Sequence, residues 1–230
     1  MVLTGAGISA ESGIKTFRDN GGLWEGHKLE QVATPEAFQK DPSKVQRFYN
    51  QRRSQLLKPD IRPNSAHLRL ADIESEVGKM TIITQNVDNL HERAGSKNIL
   101  HMHGELLKVR CTFCGHSQQW EDDLTTESLC PQCNRTAGLR PDIVWFGEIP
   151  KYMDQISELL TQCSHFISIG TSSQVYPAAG FIQLIKSENP HCVSIELNPQ
   201  TTPMSELFDI RIEKKATLGI EEFIQLLKRP

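Results

Sequence analysis

The chain has 230 residues, with 25 Lys and Arg against 28 Asp and Glu, a net charge of -3 and a pI of about 6.2. That length holds one large domain, or one with a small insert, and buries enough apolar surface to need no disulfide scaffold. The balanced charge argues against a surface built to coat nucleic acid, and no stretch approaches the ~20 apolar residues of a membrane span.

Met1 to Thr4 run straight into a glycine loop, so no secretory leader is expected and the chain reads as soluble and cytoplasmic. Short apolar runs that end in small or polar residues recur along the sequence. They are VLTGAG at 2–7, MTIITQN at 80–86, IVWFGE at 143–148, HFISIGTS at 165–172 and CVSIELN at 192–198. Each has strand length and many β-branched residues. Helical spacing marks 43–57, 64–77, 153–163, 178–189 and 219–228. In the first of these, Val45, Phe48, Tyr49, Arg52 and Leu56 share a face, so Arg52 joins the apolar stripe and Arg53 points elsewhere. In the second, Ala66, Leu70, Ile73 and Val77 share a face, with Asn64 or Ser65 as the cap.

Strands alternating with helices predict an α/β fold with a Rossmann-like, mostly parallel sheet covered on both faces. Ligands of such sheets sit outside the carboxyl ends of the strands, and the glycine loop, TQN and GTS all fall there. Gly5-Ala6-Gly7-Ile8-Ser9-Ala10 fits the G-x-G-x-x-G/A pattern that cradles a pyrophosphate. The acid expected about twenty residues later in a dehydrogenase is unconvincing. Glu25 and Glu30 lie near that distance, but no second strand–helix unit leads to either. With so few residues ahead of Gly5, the first strand is short for a central one, which predicts reduced stability or a compensating neighbour.

From about Arg110 to Leu139 the apolar periodicity stops. Cys111-x-x-Cys114 and Cys130-x-x-Cys133, fifteen residues apart, have zinc-ribbon spacing. Four thiolates fill a tetrahedral Zn²⁺ and leave no open position, so the metal is expected to be structural and to organise a small domain. Zinc ribbons also occur in nucleic-acid binders, but this segment is not basic. Cys163 and Cys192 stand alone in apolar segments and read as buried small residues without chemistry.

Taken together, GAGISAESGIKTFR, TQNVDNLHERAG, HMHGE, the four-cysteine insert, VWFGE and GTSSQVYPAAG resemble the sirtuins, in the family's order and from Gly5 to about Ala216. The short insert and FYNQRR resemble the class III, bacterial-type branch. The resemblance implies an NAD-dependent protein-lysine deacylase in which NAD is consumed and no hydride moves. The acyl oxygen attacks the ribose C1′ as nicotinamide leaves, and the products are free lysine, nicotinamide and O-acyl-ADP-ribose.

On the same resemblance His103, directly before Gly-Glu, is the catalytic base, while His91 and His101 are structural. NAD is expected against Gly5, Ala6, Gly7, Ile8, Ser9, Glu11, Thr16, Phe17, Arg18 and Trp24, with Phe17 shutting out water and Arg18 meeting phosphate. Gln85, Asn86, Val87 and Asp88 surround nicotinamide and the reactive ribose. Gly170, Thr171 and Ser172 approach phosphate or ribose, and Glu196, Leu197, Asn198 and Ala216 line the adenosine side. Val144, Trp145, Phe146, Gly147, Glu148, Val175 and Tyr176 form the cleft for an acylated-lysine peptide added as an extended strand. Tyr49-x-x-Arg52 matches the pair that reads the carboxylate of succinyl- or malonyl-lysine, a task suited to a guanidinium fork.

The implied architecture is a large lobe of residues 1–24, 64–104 and 140–230, and a small lobe of residues 25–63 and 105–139. A monomer is expected, with no nucleic-acid or membrane partner. Three other readings compete. A nicotinamide-dependent oxidoreductase would reduce the cofactor, a zinc-ribbon module would not need His103, and a mono-ADP-ribosyl transferase would use the same cleavage with another acceptor. Lys15, where relatives often carry arginine, is a harmless departure.

Overall fold

The computed structural model describes residues 1–15, the backbone of 23–24, and 27–227. β1 (Val2–Thr4) leads into α1 (Ala6–Ala10), the antiparallel pair β2 (Leu23–Trp24) and β3 (His27–Lys28), then α2 (Pro35–Lys40) and α3 (Pro42–Leu56). α4 (Ser65–Val77), β4 (Ile82–Thr84), α5 (Leu90–Ala94) and β5 (Ile99–His101) follow. β6 (Gly104–Cys111), β7 (Ser117–Gln119) and β8 (Leu139–Ile143) make a small antiparallel sheet. The chain continues through α6 (Met153–Gln162), β9 (His165–Ile169), α7 (Phe181–Glu188), β10 (Val193–Leu197), β11 (Ile210–Ile212) and α8 (Ala216–Leu227).

The main sheet has the order β11-β10-β9-β1-β4-β5, with parallel pairings. Counted along the chain this is 3-2-1-4-5-6, the doubly wound order whose switch point lies between its first and fourth strands, here β1 and β9. Alternation along each strand sends neighbours to opposite faces. Val2 and Ile82 join the core beneath α4 and α8, with Leu70, Ile73 and Phe223. Leu3 and Ile83 join the core beneath α6 and α7, with Ile156, Phe166 and Phe181. β1 has only three residues, as the sequence suggested, but it is fully covered and hydrogen-bonded on both edges.

Helix starts follow local chemistry. Thr34 and Asp41 accept from the backbone N–H of Ala37 and Lys44, and Pro35 and Pro42 occupy the first helical position of α2 and α3. Asn64 caps α4 and Gly78 ends it in the left-handed region at φ 67°. A third core gathers α2 and α3 against Leu106, Leu107, Ile143 and Trp145. A fourth holds Val109, Leu124 and Leu139 with Cys111 and Cys130.

Two expectations need correction, and a third needs completing. The run 143–148 is not a strand: β8 ends at Ile143, because the Trp145 N–H is taken by the Glu148 carboxylate instead of a neighbouring strand. Val77 is 55% exposed, and the inner face of α4 is completed by His67. Arg53 points away from the apolar stripe, as the spacing predicted, but into a second buried side of α3: it is 1% exposed, while Arg52 is half-buried.

Candidate active site

The switch point brings two glycine loops into contact. The Gly7 N–H donates to the Gly170 carbonyl at 2.9 Å, and the Gly5 N–H to that of Ile169 at 3.0 Å. A Cβ on Gly7 would lie 2.7 Å from the Gly170 Cα, and one on Gly170, at φ 61°, would lie 2.5 Å from the Ile8 nitrogen. Only glycine allows this approach, which sets the loop after β1 beside the loop after β9. Ile8 and Ser9 are fully buried and Ala6 is half-buried.

The TQNVD loop after β4 closes the same rim. Asn86 is buried, and its Nδ2 donates to the Gly5 carbonyl at 3.1 Å and the Ser9 hydroxyl at 3.2 Å. Asp88 is buried, accepts the Leu90 N–H at 3.1 Å, and has its pKa raised by burial, partly opposed by bonds from Leu90 and Ser9. Val87 is half-buried, and its carbonyl accepts from the Leu106 N–H at 2.8 Å.

The two histidines of HMHGE grip this loop at consecutive carbonyls. His101 Nδ1 lies 3.2 Å from the Asn86 oxygen, and His103 Nδ1 lies 3.1 Å from the Gln85 oxygen. A carbonyl only accepts, so each Nδ1 carries a proton. His101 Nε2 also faces an acceptor, Glu92 Oε1 at 2.6 Å, which makes this ring an imidazolium. Burial works against that charge, but Glu92 outweighs it and holds the His101 pKa above the ordinary value. His103 has no carboxylate partner among its described contacts. Burial lowers its pKa, the Gln85 bond opposing in part, so at neutral pH Nε2 carries a lone pair.

The 144–148 wall is built from buried anchors. Glu148 accepts from Arg140 Nη1 at 2.6 Å, from Arg140 Nη2 at 2.9 Å and from the Trp145 N–H at 2.8 Å. Gly147 has φ 89°, which lets the turn close. The Val144 N–H donates to the His103 carbonyl at 2.9 Å, joining this segment to HMHGE. Trp145 is buried under the Arg140 guanidinium, and its Nε1 donates to the Tyr49 hydroxyl at 2.9 Å. Burial pushes the Tyr49 phenol well above its usual pKa. Arg52 lies over the Phe48 ring at 5.1 Å. Phe146, Val175 and Tyr176 are exposed.

The residues expected on the adenosine side are spread more widely. Asn198 Nδ2 donates to the Thr171 carbonyl at 2.6 Å, whereas the Glu196 carboxylate is turned into the 202–205 loop, bonded by Thr202 and Ser205. Leu197 and Ala216 are buried in the core, Ser172 is half-buried, and Glu11 is bonded by Thr217 at the start of α8. Thr16, Phe17, Arg18 and the Trp24 side chain lie outside the described residues.

The four cysteines converge. Cys111 and Cys133 Sγ lie 3.7 Å apart, as do those of Cys114 and Cys130, and the four sulfurs all lie within 4.8 Å of one another. Sulfurs about 2.3 Å from a tetrahedral Zn²⁺ sit about 3.8 Å apart, so the donor set fits that ion. Two like turns build it: Gly115 N–H donates to the Cys111 carbonyl at 2.9 Å, and Asn134 N–H to the Cys130 carbonyl at 2.8 Å. Both turns place their fifth residue at positive φ, 74° for Gly115 and 53° for Asn134. The Gly115 turn is legible in the sequence; Asn134 does the same work unannounced. Cys163 and Cys192, read as buried residues standing alone, lie with their sulfurs 3.5 Å apart; Cys192 is buried and Cys163 half-buried.

Residues 5–177 match the model of the Sir2 family. The chain is 56% identical over 225 residues to an NAD-dependent protein deacylase of Pasteurella multocida, covering 97% of this chain and 95% of that one. It is 51% identical over 228 residues to an NAD-dependent protein deacylase of Escherichia coli K12, covering 99% and 81%. A solved complex of a Sir2 homologue with NAD superposes with a TM-score of 0.88 at 39% identity, covering 99% of this chain and 88% of that one.

Proposed function

Because this chain belongs to the Sir2 family, we propose that it is an NAD-dependent protein-lysine deacylase acting on acetyl-lysine and on succinyl- or malonyl-lysine. The observation that carries the reading is His103: half-buried, neutral, its Nδ1 held by the Gln85 carbonyl of the loop whose Asn86 is anchored to the glycine turn.

The residues present fit NAD. Glycine-only backbone contacts line the rim at the switch point, and buried Ser9, Asn86 and Asp88 converge beside them. When bound, NAD supplies a ribose C1′ that the acyl oxygen attacks as nicotinamide departs. Gln85, Asn86, Val87 and Asp88 hold the carboxamide and the ribose hydroxyls. Gly5 to Ser9 and Gly170 to Ser172 take the phosphates, with Glu11, Thr16, Phe17, Arg18 and Trp24 completing the cover. Asn198 faces the adenosine, with the backbone of Glu196, Leu197 and Ala216 beside it, since the side chains of those three are turned into the protein. His103 Nε2 takes a proton from a ribose hydroxyl, which its lone pair at neutral pH allows.

The substrate peptide adds as a strand between 144–148 and Val175-Tyr176; the exposure of Phe146, Val175 and Tyr176 supports this. Tyr49 and Arg52 read an acidic acyl group. Cys111, Cys114, Cys130 and Cys133 hold one structural Zn²⁺, which supplies a rigid crosslink and no chemistry. The two-lobe division belongs to the same reading, supported by the separate cores around the main sheet and around α3. We read the enzyme as a cytoplasmic monomer that does not bind nucleic acid; among the described residues no helix is long and apolar enough to cross a membrane.

The test is nicotinamide release from NAD with acetyl-lysine and succinyl-lysine peptides, run with His103→Ala alongside. Peptide-dependent release that vanishes in the variant is expected. Release unaffected by the variant would sink the assignment of the base.

A further inference from the structure

The face of α3 that carries Tyr49 and Arg52 has a task in the proposed reaction. The other face is as closely built and has none. Gln46, Asn50 and Arg53 follow one another at helical spacing and all reach the four-cysteine insert or its base. Gln46, 1% exposed, donates from Nε2 to the Leu139 carbonyl at 3.1 Å. Asn50 pairs reciprocally with the Leu124 backbone: Nδ2 donates to the carbonyl at 2.9 Å, and the Leu124 N–H donates to Oδ1 at 2.9 Å. Arg53 donates from Nη1 to Asn50 Oδ1 at 2.9 Å and to the Asp122 carbonyl at 3.2 Å. Leu124 belongs to the same small core as Cys111 and Cys130.

Arg53 is an expensive way to hold two surfaces together. It is 1% exposed, and its Nε and Nη2 have no partner among the described residues. An apolar side chain would join the surfaces without desolvating a charge. A guanidinium and an amide aimed at backbone atoms add direction instead: they set the rotation and height of the helix. Asn50 follows Tyr49 in the sequence and Arg53 follows Arg52, so a shift of α3 that the clamp prevents is also a shift of that pair.

We propose that Asn50 and Arg53 are specificity-positioning residues, which fix α3 to the insert and so hold Tyr49 and Arg52 in register for an acidic acyl group. This role rests on the reading of Tyr49 and Arg52 as the acyl-carboxylate readers. An acetyl group has no carboxylate, and its turnover does not depend on that register.

The experiment measures kcat and KM with acetyl-lysine and succinyl-lysine peptides for Asn50→Ala, Arg53→Met, Arg53→Lys and Arg52→Met, each checked for folding and bound zinc. The expected result is a succinyl KM raised about tenfold in Asn50→Ala and Arg53→Met, the scale of a sub-ångström misplacement. Acetyl KM and kcat stay within about twofold of the parent, and Arg53→Lys recovers part of the loss. Should Arg53→Met fail to fold, Asn50→Ala carries the same test. Equal losses on both peptides, or none, with Arg52→Met still impaired on the succinyl peptide, would overturn the positioning role alone. Arg52→Met without effect on the succinyl peptide would remove the acyl reading, and this inference with it.

Discussion

The rim of the main sheet and the four-cysteine insert are built on opposite plans. The rim takes residues 5–9, 85–88, 101–103 and 170–172, distant in sequence and joined by the topology of the parallel sheet. The insert takes two short turns whose ligands lie within one stretch, 111–133, and converge within 4.8 Å. A site of the first kind is as stable as the whole fold, because every strand of the rim belongs to the main sheet. A site of the second kind is as stable as its metal, since five buried hydrophobic and cysteine residues make a very small core.

Removing zinc is the largest perturbation that this contrast predicts. Structural zinc is worth on the order of 10 kcal/mol to a small site. Chelation, or Cys130→Ser, is expected to open the insert to protease between Cys111 and Cys133 while the main sheet keeps its far-ultraviolet signature. NAD binding retained within a few-fold would show the two plans to be separable; simultaneous loss of both would show that they are one cooperative unit. Next in size, His103→Ala is expected to lower kcat by about 10³-fold, the scale of a general base, with little change in melting temperature or zinc content.

Acid distinguishes the regions again. His67 and His91 stack edge to face beneath the glycine loop, with ring centroids 4.9 Å apart. Burial lowers the His67 pKa to about 4, and burial followed by the His67 charge lowers that of His91 to about 3. Both folded values lie below the unfolded value near 6.5, so the unfolded chain binds more protons. Their contribution is complete above about pH 6.5 and is lost as the pH falls toward those folded values. At pH 5 each costs on the order of 2 kcal/mol relative to pH 8. His101, whose pKa is raised, works in the reverse direction and offsets part of this. Urea midpoints between pH 5 and pH 8, with bound zinc measured at each point, check the slope; His91→Gln is expected to flatten it. Smallest is Gly7→Ala, whose Cβ would meet Gly170 at 2.7 Å. It is expected to cost about 1–3 kcal/mol by forcing the two loops apart, read as a lower urea midpoint and weaker NAD binding.

What could be read from the sequence follows the same division. The cysteine spacing carried its own geometry, and the 3.7 Å sulfur separations agree with it. Strand–helix alternation carried the sheet, and Asn64 carried a helix start. The rim was not legible from local pattern: Gly5-Ala6-Gly7 alone is a turn, and it was the place of distant motifs at the strand ends, with their order, that pointed to a shared pocket. Periodicity assumes a single buried face. It set Arg53 off the apolar stripe of α3 without showing that this second side is buried too, and there Arg53 and Gln46 lie inside. Likewise α4 outruns the sheet, leaving Val77 in solvent, while His67 is drawn in by Asn64 and Ser9. The apolar letters of 143–148 reflect the burial of Trp145 against α3, which needs no strand.

Trp145 has a consequence for observation. The chain has three tryptophans, and this one is 2% exposed, 3.3 Å beneath the Arg140 guanidinium and bonded to Tyr49. An indole between a cation and a phenol emits according to that surrounding. Any separation of α3 from the cleft wall breaks the bond and admits water to the ring. The protein thus contains an optical gauge at the junction of α3 and the 144–148 segment, readable through intrinsic fluorescence with no label attached.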